Sequence, residues 1–374
     1  MRCALSIFLI FLIKSVLAQK LPVIKANSEK VSIRENGKLF ADAWRIVPSV
    51  KPDIHITNST GVVTFITDVD SMVIKVNKTT AFNFIILYKG KDSALTQVKY
   101  EPGALEKLKA AAKYDYTDTK ALPDFIYQES SFPKLKELKD KYNLDAVAGN
   151  ASELSKILNL LKWVHQQITH DGQHNNPSTM NALQLLDSCK ATGRGLNCRG
   201  FAVVLNEVYL SMGFKSRLIT LESEVYQGSA HALNAVYSQE KQKWLWVDAE
   251  FGAYLMDEKG ELLSPAEVRE RIIQNKTIIV NPDASWNRKI YQTYQSYIIE
   301  FVAPLLYKIS AAVSSEYDYE SWTTTDKPSY IYLLPANAKA DLKKYKETKL
   351  GKNGKYTMCE YVTTNPNLFW VKPK

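Results

Sequence analysis

The first hundred residues alternate between apolar and polar positions. Val31-Ser32-Ile33-Arg34 sets an apolar side chain at every second place, and Gly61–Thr67, Met72–Val76 and Asn83–Tyr88 alternate likewise or run β-branched. Turn residues separate these stretches at short, fairly even spacing. A half-buried strand has a side-chain period of two, so residues 21–101 predict a small β-sandwich or barrel. Pro102-Gly103 breaks the pattern.

Beyond the break the apolar period lengthens to that of a helix. Ala104–Lys113 reads as a helix, a loop rich in Tyr and Asp follows, and further helix-like segments reach Asn150. Ser152–His165 has helical spacing and is expected to pack on the helix that follows Cys198. In that second helix Ala202, Leu205, Val208, Tyr209 and Met212 recur at three- and four-residue steps, and Gly213 marks the stop. Asn197 is placed as its N-cap, which puts Cys198 in the first turn. Strands follow at Phe214–Thr220, His231–Tyr237 and Lys243–Asp248, and the polar run 238–242 joins the last two as a hairpin. His231 begins one arm and Asp248 ends the other, so an antiparallel ladder makes them neighbours at the same end.

The tail predicts a helix over Ile290–Val302, stopped or kinked by Pro304, then strands at Tyr330–Leu334, Tyr356–Val362 and Leu368–Val371. Its aromatics, Trp286, Tyr297, Trp322 and Trp370 among them, suit a core more often than a cleft. The fold class is α+β: an all-β sandwich over 19–103, a helical connector over 104–150, an α+β core over 151–280, and a helix with strands over 281–374 packed on that core.

Three residues at element edges make the strongest case for chemistry. They are Cys198 in Gly195-Leu196-Asn197-Cys198-Arg199-Gly200-Phe201-Ala202, His231 in Ser229-Ala230-His231-Ala232, and Asp248 after Trp244-Leu245-Trp246-Val247. A thiol at its reference pKa is only a few per cent thiolate at neutral pH. A neighbouring imidazole takes its proton, and a carboxylate beyond the imidazole fixes the tautomer and stabilises the charged ring. A helix start adds a field that favours a thiolate and free N–H groups usable as an oxyanion hole. Gln166 or Gln167 is a further candidate for an oxyanion amide. Each residue alone also has a structural reading: a buried Cys, a half-buried His, a turn Asp.

Together, the Gly-x-x-Cys-x-Gly-Phe-Ala helix start, the Gly-Phe-Lys-Ser-Arg strand, the His-Ala strand start and the Trp-x-x-x-Asp strand end resemble the transglutaminase-like superfamily, in its secreted bacterial form. The separations of 33 residues from Cys198 to His231 and 17 from there to Asp248 suit that core, and the resemblance extends over about Ser152–Gly252. It implies a papain-like fold, a helix bearing the Cys on an antiparallel sheet bearing the His and Asp. It also implies acyl transfer through a thioester, to an amine or to water. Cys198 is then the nucleophile, His231 the general base and later acid, and Asp248 the orienting carboxylate. The sequence departs from the family where the strand after His231 reads Ala-Leu-Asn-Ala-Val, in place of a common Trp and Glu, and where Ala249-Glu250 follows Asp248 in place of a common Pro. These changes leave the triad intact and bear on substrate preference. No acidic loop of the EF-hand type marks a calcium site.

The remaining features set the context. Met1-Arg2, an apolar run over Ala4–Ile13, Lys14 and then Ser15-Val16-Leu17-Ala18 read as a signal peptide cleaved near Ala18, so a secreted or periplasmic location is expected. No other segment approaches the length of a membrane span. Beyond that leader, Cys189, Cys198 and Cys359 form an odd count that flags one free thiol, and Cys189 with Cys359 is a candidate pair. Sequons stand at Asn58, Asn77, Asn150 and Asn275. Of the clustered His165, His170 and His174, His165 and His170 stand five apart and are followed by irregular sequence, so they lack the four-residue spacing that sets two zinc ligands on one helical face, and no metal and no cofactor is expected. A formal charge of +9, or +7 without Arg2 and Lys14, is spread along the chain with modest clusters at Lys134–Lys141 and Lys339–Lys352. It fits a solvated basic surface, and nucleic acid is not an expected partner. The expected partner is a protein or peptide substrate, an envelope-associated one among the candidates. Hydrolysis is favoured over cross-linking because no dedicated amine site is visible. The competing class is a non-catalytic envelope binding module that keeps the fold.

Overall fold

The computed structural model describes residues 21–224, 230–321, 329–338, 345–351 and 354–374. The expected leader, 1–18, lies outside them, as do Ser229, Trp322 and part of the basic cluster 339–352. The chain divides into two compact units, with the break after Gly103. Among the described residues no helix is long and apolar enough to cross a membrane.

The first unit is a two-sheet sandwich. Its strands are β1 (Val23–Ala26), β2 (Lys30–Glu35), β3 (Lys38–Arg45), β4 (Asp53–Thr57), β5 (Gly61–Ile66), β6 (Ser71–Val76), β7 (Phe82–Tyr88) and β8 (Asp92–Tyr100). One sheet runs β1-β7-β8-β4 and the other β3-β2-β5-β6. The alternation read from the sequence is the alternation of burial: Val31 and Ile33, Val63 and Phe65, Ile74 and Val76, and Phe84 and Ile86 all point inward. Phe65 of one sheet meets Phe84 of the other edge to face, with ring centroids 5.2 Å apart.

The second unit is α+β. It contains, in order, α1 (Ala104–Ala110), β9 (Ile126–Tyr127), α2 (Pro133–Lys141), α3 (Leu144–Ala148), α4 (Glu153–Gln167), α5 (Ala182–Thr192) and α6 (Cys198–Ser211). Then come β10 (Ser216–Glu222), β11 (Ala230–Ser238), β12 (Lys243–Asp248), β13 (Ala253–Met256), α7 (Pro265–Ile273), β14 (Ile279–Val280), β15 (Ser285–Trp286) and β16 (Ile290–Tyr291). A π-helix over Tyr294–Val302 precedes β17 (Lys308–Ala312), β18 (Ser314–Ser315), β19 (Ser329–Leu333), β20 (Tyr345–Gly351), β21 (Gly354–Thr363) and α8 (Pro366–Phe369). The main sheet has the order β14-β13-β12-β11-β10-β17-β19-β21-β20.

Both faces of its centre are covered, which is why β11 and β12 are buried at nearly every position. Ala232 and Val236 of β11 and Leu245 and Val247 of β12 pack with α4, α5 and α6. Leu233, Ala235 and Tyr237, with Trp244 and Trp246, pack on the opposite face with α7, the π-helix and Phe369 of α8. The period-two rule therefore puts His231 and Asp248 on this second face together.

Two tail expectations are corrected. Ile290–Val302 is not one helix: Ile290 and Tyr291 pair with β15, and the helix starts at Tyr294 behind a capping box of Thr293 and Ser296. Leu368–Val371 is not a strand. Asn365 accepts from Asn367 N and Pro366 stands at the first helical position, so the segment turns into α8. Cys189, Cys198 and Cys359 are all free, so the candidate Cys189–Cys359 pair is not formed.

Candidate active site

Cys198 is positioned by the two segments that precede it. Leu196 N donates to Thr169 O (3.0 Å) and Asp171 N donates to Leu196 O (2.9 Å), so the approach to α6 lies alongside the chain leaving α4. The contact needs Gly195, because a Cβ there would sit 1.8 Å from Thr169 O. Asn197 has the extended backbone of an N-cap, and its side chain accepts from Arg199 N at 3.1 Å. Asn176 holds that cap from both sides: its Nδ2 donates to Asn197 Oδ1 (2.7 Å) and its Oδ1 accepts from Asn197 N (2.9 Å).

The body of α6 is buried from Gly200 to Ser211 and is wired to its neighbours. Tyr209 Oη donates to Ile157 O of α4 (3.0 Å), and Asn206 Nδ2 donates to Ser315 Oγ (2.8 Å). The Glu207 carboxylate accepts from Ala182 N at the start of α5 (2.7 Å) and from Asp318 N (2.9 Å); burial pushes its pKa up to about 8. Asn234 Nδ2 of β11 donates to Ala202 O (3.0 Å), which fixes α6 against the strand that carries His231.

His231 and Asp248 are both fully buried and meet at 2.7 Å, Nε2 to Oδ2. The last ladder pair between their strands is Asn234 with Val247, so the two residues are diagonal neighbours on one face rather than opposite one another. Asp248 is further held by Tyr297 Oη, which donates to Oδ2 (2.6 Å), and by Glu250 N, which donates to Oδ1 (3.1 Å). Trp246 Nε1 donates to Tyr297 Oη (3.2 Å) and completes the chain. Burial and the Asp248 charge push the Tyr297 pKa well above its ordinary value, so it stays a phenol and donor.

The His231 ring packs edge to face on Phe301 (4.8 Å between centroids) and Phe251 (6.0 Å). Burial alone would depress its pKa. Asp248, with Cys198 and Glu250, overcomes that and holds the imidazolium well above the ordinary histidine value. With Nε2 committed to Asp248, Nδ1 is the nitrogen left for Cys198. One atom each of the Cys198 thiol, the His231 ring and the Glu250 carboxylate lie within 4.8 Å of one another. Cys198 itself is half-buried.

The fold thus brings Cys198, His231 and Asp248 together, and adds residues that the sequence did not single out. Glu250 lies nine-tenths buried beside His231, with Oε2 3.9 Å from Nδ1. His170 Nδ1 is 3.0 Å from Glu250 Oε1, an ion-pair contact. That contact raises the His170 pKa above its ordinary value. Glu250 had stood out only as a departure from the family's Pro, and Tyr297 only as one of the tail's aromatics.

The three clustered histidines do not converge on one point. His165 Nδ1 is bonded to Ala249 O at 3.0 Å, and its ring leaves no room for a side chain at Gly252. His174 pairs with Asp171 at the surface. Gln166 and Gln167 are exposed at the end of α4.

Residues 140–249 match a family described as the transglutaminase-like superfamily. No curated protein sequence matches the chain. Three solved structures share local likeness. A Cytophaga hutchinsonii protein provisionally named a cysteine protease is 20% identical over 31% of this chain and 36% of its own length, with a TM-score of 0.24. EGTA-treated Legionella pneumophila LapG is 12% identical over 49% of this chain and 98% of its own, with a TM-score of 0.25. The red sea bream transglutaminase is 10% identical over 67% of this chain and 52% of its own, with a TM-score of 0.23. The chain thus spans about a third of the Cytophaga protein. The segment from the end of α2 to the residue after Asp248 belongs to the transglutaminase-like superfamily.

Proposed function

We propose that Cys198, His231 and Asp248 act as a catalytic triad for acyl transfer from protein or peptide amides, with water as the usual acceptor. The observation that carries this reading is the placement of His231, bonded to Asp248 at 2.7 Å through Nε2 with its other face turned to Cys198. In the first half-reaction the Cys198 thiolate attacks the amide carbonyl and a C–S bond forms. The oxyanion is met by N–H groups at the start of α6, which have no intrahelical acceptor. The C–N bond then breaks, and the amine leaves with a proton from the His231 imidazolium. In the second, His231 takes a proton from water, the hydroxide attacks the thioester, and the C–S bond breaks to release the acid. An amine in place of water would give transfer. Water is favoured because Cys198 is only half-buried and nothing in the sequence indicates a dedicated amine site. The leader-like segment at 1–18 supports a secreted or periplasmic place of action.

The test is the alkylation rate of Cys198 against pH in the parent and in His231→Ala. The raised His231 pKa means that its positive charge is present at low pH and is lost as pH rises through the raised value. At about pH 6, where an unassisted thiol is almost wholly protonated, the parent should react at least about tenfold faster than the variant. Near pH 9 the two should converge. Equal rates at the lower pH would sink the triad and leave a binding module that keeps the fold.

A further inference from the structure

The proposed acyl transfer uses Cys198, His231 and Asp248 and leaves Glu250 idle. Yet Glu250 shares the space between the other two: among the described residues, it forms with Cys198 and His231 the one cluster of His, Cys and carboxylate groups with metal-ligand spacing. It is 4% exposed, and its Oε2 has no hydrogen-bond partner. A buried carboxylate oxygen without a donor is costly. This one faces His231 Nδ1 at 3.9 Å.

We propose that Cys198, His231 and Glu250 form a binding site for a borderline-soft divalent transition-metal ion of the Zn²⁺ or Co²⁺ kind. One sulfur, one imidazole nitrogen and one carboxylate oxygen are the donors zinc prefers, whereas Ca²⁺ and Mg²⁺ take oxygen. Bond lengths of about 2.0–2.3 Å put the ligand atoms of a tetrahedral zinc site about 3.3–3.6 Å apart. The 3.9 Å between His231 Nδ1 and Glu250 Oε2 is near that, and the 4.8 Å bound on the whole cluster leaves at most a small side-chain closure. Three protein ligands leave the fourth tetrahedral position for water or another ligand.

The outer contacts suit the same ion. Metal-bound histidines usually give their second nitrogen to a carboxylate, and Asp248 holds His231 Nε2 in that way at 2.7 Å. His170 steadies the far oxygen of Glu250 at 3.0 Å. A thiolate and a carboxylate together balance the two positive charges. On binding, Cys198 enters as the thiolate and the His231 imidazolium gives up its Nδ1 proton to solvent, so that the sulfur–metal and nitrogen–metal bonds form with the ring neutral. A bound ion occupies the sulfur and the ring nitrogen, so Cys198 is blocked until a chelator removes it. The site stands whether or not Cys198 carries out acyl transfer.

Cobalt titration of the full chain, stripped of metal and with Cys3, Cys189 and Cys359 replaced by Ser, tests the proposal. One equivalent of Co²⁺ should produce a thiolate-to-cobalt charge-transfer band in the near ultraviolet. Zn²⁺ should displace the cobalt and protect Cys198 from iodoacetamide until EDTA is added. Cys198→Ser should abolish the band, and Glu250→Gln should weaken binding by at least about tenfold. Should the amide variant not fold, Glu250→Asp, one methylene short of the site, serves in its place with the same loss expected. No band, a band that survives Cys198→Ser, or a Glu250 variant that binds as tightly as the parent overturns the site.

Discussion

At the scale of single residues, Asp248 is a fully buried carboxylate held by three donors. Its two oxygens receive His231 Nε2, Tyr297 Oη and Glu250 N. A buried carboxylate in this position is stable only if its lone pairs are met. Replacing Tyr297 by Phe removes one charge-assisted donor and also leaves Trp246 Nε1 without its acceptor. Tyr297→Phe should therefore lower unfolding free energy by about 2–3 kcal/mol, read from urea denaturation at neutral pH; a change within about 0.5 kcal/mol would mean that water takes over both bonds. Cys198, His231 and Asp248 were legible in the sequence because each stands at the edge of a strongly patterned element. Glu250, His170 and Tyr297 were not, because their importance comes from contacts across distant segments. Periodicity reports which face a residue occupies, not which loop or helix comes to meet it.

At the scale of elements, the start of α6 depends on a backbone contact with the segment leaving α4. Gly195→Ala would place a methyl 1.8 Å from Thr169 O, so the paired bonds Leu196 N to Thr169 O and Asp171 N to Leu196 O must open. Two lost bonds and local overpacking should cost about 3 kcal/mol or more. The expected readout is a large fall in melting temperature together with slower Cys198 alkylation; an unchanged melting curve would show that the loop has another conformation to adopt. The same elements show what pattern can and cannot say. The α6 sequence announces its cap, period and stop, and β12 its continuous apolar run. Neither Ile290–Val302 nor Leu368–Val371 has a pattern that overrides its ends: Thr293 starts a helix late in the first, and Asn365-Pro366 starts one in the second. α5 was passed over although Asn181 caps it and Gly193, in the left-handed region, ends it. Its short apolar stripe lies among loop residues, and what anchors it is Glu207, twenty-five residues further on.

At the scale of the whole molecule, the two units keep separate accounts of burial. The first closes its own core around Val31, Phe65, Phe84 and Ile86. The second has buried clusters on both faces of its main sheet. Every residue of the candidate site, from His165 and His170 to Tyr297, belongs to the second unit. A unit with its own core and its own site should fold without the other. A chain that begins at Pro102 should therefore unfold cooperatively and alkylate Cys198 within about twofold of the full-length rate across the pH range. If the fragment folds but reacts far more slowly, the sandwich takes part in shaping the site, and the thiol chemistry cannot be assigned to the second unit alone. If reactivity holds while capture of a protein substrate falls, the sandwich is a substrate-presenting module. Its sequence, alternating and free of a catalytic constellation, fits that role better than a part in the chemistry.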